Sequence, residues 1–333
     1  MKLLLAQPRG YCAGVEMAIE CLDRALALYG APLYVYHQIV HNSFVVERYV
    51  GQGVIFVDDV RDVPLCATLI YSAHGVAPEV RSEAALRELN VIDATCPLVM
   101  KVHAEAKHFT DKGYVTFFIG HRDHDESMGI MGEAQGRINL IESAEDVALI
   151  EIHDDSQTAY LTQTTLGVDD TQQIIEALRH RFPNIEGPRR ADICYATQNR
   201  QEAVRVLASI SDMALVVGSR NSSNSLRLVE VARAQGVPAY LIDGPEEINL
   251  DWLEGVSTLL ITAGASVPEE LVASTVEWVS RHFEVSIEEP VIKEESTRFQ
   301  LPPELRFSRA EPLEKSSLHQ DSARAGAANG KNG

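Results

Sequence analysis

Residues 214–225 read Ala-Leu-Val-Val-Gly-Ser-Arg-Asn-Ser-Ser-Asn-Ser. A short aliphatic strand meets a glycine, passes into a polar loop and leads on to a helix predicted over 225–234. The plan recurs: YSAHG, FFIGH, YLTQT and LLITAGAS are each a strand running into a polar loop. The opening LLLA is a further buried strand that turns through PRG toward Cys12. Strands are read at 33–36, 54–57, 68–71, 91–92, 115–119, 138–141, 159–162, 214–217, 239–242 and 258–262. Helices are read at 16–28, 78–89, 98–110, 169–182, 200–210, 225–234 and 268–283. Most strands lack clean alternation, which suits parallel strands covered on both faces. Alternating strands and helices imply an α/β fold, in which ligands gather where strands end and helices begin.

The cysteines divide this pattern into three. Cys12 is followed by His41 and His74 at offsets of 29 and 62 residues, and Cys96 by His124 and Thr164 at 28 and 68. Cys194 is followed by Ser222 and Ser266 at 28 and 72. Each module offers one thiol and two polar groups, all near strand ends. Quasi-repeated α/β units are therefore expected over 13–95, 96–190 and 191–283, with residues 1–12 joining the third. Three thiols with imidazoles, hydroxyls and an amide would suit a metal cluster that leaves one metal open to a polar, anionic substrate. Free cysteines are also often small buried hydrophobes, and Cys21 and Cys66, which have no echo, are read as core or supporting residues.

Composition narrows the class. The formal charge of -19 repels polyanions and argues against a nucleic-acid groove, though helix N-termini and polar side chains can still build a local anion site. Five widely spaced cysteines with no CxxC pair do not make a disulfide framework. Neither a run of eighteen apolar residues nor an export signal is evident, so a cytoplasmic protein without membrane attachment is expected. Beyond 284 the chain becomes mixed-charge, Pro-containing and finally small and polar; it is read as a disordered tail, 284–333, with transient docking around 299–307.

The segments PRGYCAGV, IVHNSFVV, SAHGV, DATCPLVMKVH, TQTTLGVDDT, ICYATQNRQEA, VVGSRNSSNS and TAGASVP occur in this order. Over residues 1–283 the chain resembles the LytB family of 4-hydroxy-3-methylbut-2-enyl diphosphate reductases, which act last in the non-mevalonate isoprenoid pathway. The resemblance implies a trefoil of three α/β units around one [4Fe-4S] cluster per subunit. Cys12, Cys96 and Cys194 would be its ligands, leaving one open iron for the substrate hydroxyl. It also implies two-electron reductive dehydroxylation to isopentenyl and dimethylallyl diphosphate, with flavodoxin or ferredoxin as donor. No GxGxxG run follows a strand, so an internal nicotinamide or flavin site is not expected. A monomer is expected. The family's usual His-Pro-Glu reads His124-Asp125-Glu126 here, which keeps both chemical groups, loses the rigid ring and adds a carboxylate.

Within that frame His41, His74 and His124, with Ser222, Ser223, Asn224 and Ser266, are the candidate diphosphate ligands. Glu126 is the candidate proton source and Thr164 the group that positions it; Asp125 is a lower-ranked substitute, and Gln163 and Thr165 are supporting groups. A cluster hydro-lyase with no net redox change would use similar residues, and a non-catalytic iron–sulfur sensor would share the anion site. A mononuclear zinc hydrolase fits less well.

Overall fold

The computed structural model describes residues 1–306 except 135, 154 and 155. It is an α/β fold of three similar sheet-and-helix units, each sheet parallel throughout. After β1 (Lys2–Leu5) and α1 (Ala13–Tyr29), the first unit runs β2 (Leu33–Tyr36), α2 (Ser43–Val50), β3 (Val54–Val57), β4 (Thr68–Tyr71), α3 (Pro78–Leu86) and β5 (Asn90–Asp93), with strand order β3-β2-β4-β5. The second runs α4 (Pro97–Asp111), β6 (Val115–Ile119), α5 (Asp125–Glu133), β7 (Ile138–Ile141), α6 (Ala144–Ala148), β8 (Thr158–Thr162) and α7 (Val168–Arg181), with order β7-β6-β8. The third comprises α8 (Tyr195–Ala208), β9 (Met213–Val217), α9 (Ser223–Ala234), β10 (Ala239–Ile242), β11 (Thr258–Ala263), α10 (Glu269–His282), β12 (Ser286–Glu288) and the short α11 (Pro303–Arg306).

β1 does not pair with the strands that follow it. It lies between β11 and β12 in the sheet β10-β9-β11-β1-β12, with Leu3 opposite Leu259 on one side and Ile287 on the other. Its Leu3, Leu4 and Leu5 are buried, and the neighbouring strand residues Leu259, Leu260 and Ile261 are fully so. An aliphatic strand with helices on both faces has no wet side, which is why its sequence shows no alternation.

Helices α2, α5 and α6 were not read from the sequence, and the stretch after 284 was read otherwise. Residues 125–133 carry no strong apolar stripe, yet they form α5, whose N-cap is His124. The stretch after 284, expected to lack order, is built into the body as far as Arg306: β12 pairs with β1, and Leu301 and Leu305 pack into the core against α1. Glu295 also pairs with the buried Arg200 guanidinium at 3.1 Å. Seven charges among residues 288–304 made this segment look solvated, but its few apolar side chains fall where a groove awaits them. The expected disorder beyond 306 lies outside the described residues.

Candidate functional site

All three units send loops to one buried cavity of about 90 Å³. Each unit contributes a helix that begins on a cysteine: Cys12, Cys96 and Cys194 are the N-caps of α1, α4 and α8. Pro97 suits the first turn of α4 because it lacks the N–H that would go unpaired there. Gly14 lets α1 come close, since a Cβ on it would lie 2.6 Å from Cys96 Sγ. Cys194 Sγ accepts the Thr197 N–H at 3.3 Å. Burial, together with Cys12 nearby, pushes the Cys96 thiol pKa up, and burial raises that of Cys194 to about 11.

The strand ends supply the polar lining. His41 follows β2, His74 follows β4, His124 follows β6 and Thr164 follows β8. Ser222, Ser223 and Asn224 follow β9, and Ser266 follows β11. These groups line the cavity together with Glu126, Thr165 and the three cysteines, whereas Asp125 and Gln163 lie outside its lining. The lining groups are not equally free. Ser266 donates its hydroxyl to the His41 carbonyl at 2.8 Å, and Ser222 caps α9 by accepting from the Ser225 N–H at 3.3 Å. Asn224 is 4% exposed, and neither its amide nitrogen nor its oxygen has a hydrogen-bond partner. A buried amide with both ends unmet is poised for a polar ligand. A larger hollow of about 550 Å³ between the second and third units shares the lining residues His124, Thr165 and Ser223 with this cavity.

The histidines form a compact group. The His41 and His74 rings stack with centroids 3.8 Å apart, and His124 meets them edge-on at 5.1 and 5.8 Å. Burial lowers the pKa of all three, that of His124 to about 3, so without a ligand they are neutral. His124 Nδ1 accepts the Glu126 N–H at 3.2 Å, which leaves the ring proton on Nε2. His37, which sequence reasoning passed over, donates from Nδ1 to Asp125 Oδ1 at 2.7 Å, and that bond raises its pKa. Its spacing of four residues before His41 was the available signal.

Glu126 occupies a different niche. It is 1% exposed, and its two carboxylate oxygens accept the Thr164 N–H and hydroxyl, each at 2.9 Å. Burial raises its pKa to about 8 despite those two bonds, with a further push from Asp192. Asp192 is a second residue that the sequence did not announce. Its Oδ2 accepts the Thr162 N–H at 2.9 Å, and its Oδ1 lies 2.6 Å from Lys101 Nζ on α4. The Cys194 N–H in turn donates to the Thr164 carbonyl at 3.0 Å, so residues 192–194 run beside 162–164 and hold Thr164 against the acid.

The LytB protein family model matches residues 3–280. The chain belongs to the LytB family. A 4-hydroxy-3-methylbut-2-enyl diphosphate reductase from Rhodopirellula baltica is 51% identical over 311 residues, covering 93% of this chain and 98% of the relative. Its counterpart from Glaesserella parasuis serovar 5 is 50% identical, covering 92% and 99%. Among solved structures, the E-1-hydroxy-2-methyl-but-2-enyl-4-diphosphate reductase from Plasmodium falciparum superposes with a TM-score of 0.87 at 36% identity, covering 91% of this chain and 96% of that one.

One expectation attached to this LytB chain is corrected: the [4Fe-4S] cluster on Cys12, Cys96 and Cys194 with one open iron. Among the described residues, the group whose donor atoms all lie within 4.8 Å of one another is His41, His74 and Asp125, and no cysteine belongs to it. Nitrogen and carboxylate donors make a set for a single divalent ion, a different chemistry from three thiolates. The three cysteines line the same cavity without forming that group.

Proposed function

We propose that this LytB chain reduces (E)-4-hydroxy-3-methylbut-2-enyl diphosphate to isopentenyl and dimethylallyl diphosphate. The C4–oxygen bond breaks, two electrons and two protons enter, and the hydroxyl leaves as water. The relatives' shared activity over nearly their whole length supports this reading. The observation that carries it is the buried, protonated Glu126 held by Thr164 in the wall of the cavity.

A hydroxide leaves poorly, so its oxygen needs a proton as the bond breaks. With a pKa near 8, Glu126 holds that proton at neutral pH, and burial keeps water from taking it first. The Thr164 hydroxyl can donate to the carboxylate or accept from the acid, so it stays bonded before and after transfer. The diphosphate end lies among His41, His74, His124, Ser222, Ser223, Asn224 and Ser266. Neutral imidazoles donate N–H groups to phosphoryl oxygens, and the incoming charge draws protons onto them. Protonation at either end of the resulting allyl fragment accounts for two products.

Cys12, Cys96 and Cys194 belong to the site as cavity-lining sulfurs that the reaction requires. Electrons come from a separate carrier, flavodoxin or ferredoxin. The chain works as a cytoplasmic monomer with its three units set as a trefoil about the cavity. Among the described residues no helix is long and apolar enough to cross a membrane.

Anaerobic turnover of the diphosphate alcohol, with and without reduced donor, tests the reading. Formation of the two five-carbon diphosphates only with the reductant is the expected result. Consumption without reductant would indicate a hydro-lyase, and no consumption with it would indicate a binding protein.

A further inference from the structure

Asp125 stands in the wrong place for a pocket that takes anions. Its side chain is 14% exposed and lies in the middle of the histidine group. Oδ1 is bonded to His37 at 2.7 Å, while Oδ2 lies 3.7 Å from His41 Nε2 and 3.6 Å from His74 Nδ1. Both ring nitrogens of His41 are buried without a hydrogen-bond partner, so they are held in reserve. Asp125 is also the first residue of the nine-residue α5, where the helix end favours negative charge. His37, His41, His74 and the start of α5 thus each already face a carboxylate.

We propose that the Asp125 carboxylate, set behind the histidine wall of the diphosphate pocket, competes with phosphoryl oxygens for His41 and His74 and thereby sets substrate affinity. The proposal rests on reading this pocket as the diphosphate site. The His37–Asp125 pair is neutral as a unit, so it offers the ligand no net attraction. When a multiply charged diphosphate enters, the carboxylate remains as a like charge a few ångströms away, in a partly buried setting that screens poorly. It must turn aside or be tolerated at a cost in binding. Its loss also frees His37 Nδ1 and unblocks the start of α5.

The test is isothermal titration of the full-length wild-type chain, Asp125→Asn, Asp125→Pro and Asp123→Asn with inorganic diphosphate. Each is measured in EDTA and again with excess Mg²⁺ or Mn²⁺. Asparagine keeps the shape without the charge, and proline is tolerated at a first helical position. Asp123, exposed in the same loop, controls for charge in general. Both Asp125 variants are expected to bind about tenfold tighter than wild type in EDTA, with Asp123→Asn changing far less. The substrate KM should fall in parallel. Equal affinity in wild type and the Asp125 variants overturns the proposal while leaving the pocket assignment intact. Wild-type binding that requires the divalent ion and is lost in Asp125→Asn overturns it in favour of a cation held by His41, His74 and Asp125. Failure of every protein to bind diphosphate removes the pocket assignment and the proposal together.

Discussion

Asp125 and Glu126 are consecutive carboxylates in the first turn of α5, yet the cavity treats them in opposite ways. Asp125 faces the histidine wall. Burial alone would raise its pKa, but the His37 hydrogen bond outweighs that and holds it ionised. Glu126 points into the Thr164 niche, where no cation stands beside it, and burial carries it to about 8. Side chains successive on a helix diverge by about 100°, which here separates an anion pocket from an acid pocket. Environment, not residue type, assigns the roles.

The largest effects should come from the three cysteines that line the cavity. Cys12→Ser, Cys96→Ser or Cys194→Ser is expected to remove nearly all reductase activity in anaerobic assays with reduced donor. Activity retained in all three would detach the sulfur-lined end of the cavity from the chemistry. Cys66→Ser, at an exposed position, serves as the unaffected control.

Next comes the acid itself. Glu126→Gln keeps the shape and should slow kcat by about 10²- to 10⁴-fold, the usual range for a lost general acid. Inorganic diphosphate binding should persist in that variant, which separates the two walls experimentally. An unchanged kcat would end the proton role.

The pH dependence follows from the sign of the same shift. A carboxyl raised from 4.5 to about 8 is protonated at neutrality, so kcat should be level below pH 7 and fall as pH rises through about 8. The stability associated with the buried acid is complete below 4.5 and lost progressively up to about 8. Thr164→Val removes the hydroxyl that favours the ionised form, and should move the kinetic fall to higher pH. A profile identical to wild type would break the link between Thr164 and the acid.

The smallest catalytic effect is expected behind the niche. Lys101→Met leaves the Asp192 carboxylate, whose side chain is fully buried, without its cation. The pKa of Asp192 already stands at about 6 through burial, with Lys101 holding it down, so the carboxyl should take up a proton near neutrality in the variant. A loss of about 3 kcal/mol in urea unfolding is expected, the scale seen when one partner of a buried pair is removed. Lys101→Arg should recover much of it.

Legibility differed between regions for physical reasons. Apart from β12, the strands of the three sheets were readable because an aliphatic run between polar loops declares itself locally. Helix α5 was missed because two glycines and three acids blur its period. The segment from 284 to 306 was read as a tail because its composition is polar, while its order comes from β1, Arg200 and α1, all distant in sequence. The three cysteines line one cavity, but they were read too readily as one cluster, since spacing along a chain says nothing about the distances between sulfur atoms.

Local order along the chain was enough to determine the parallel α/β construction, the repetition of its units and the placement of polar groups at strand ends. These depend on periodicity and turn chemistry, which act over a few residues. The tertiary structure alone decided that Asp125 is charged, that Glu126 is not, and that His41 and His74 stack. Those outcomes depend on desolvation and on partners brought in from 37, 164 and 192, and only the folded chain brings them together.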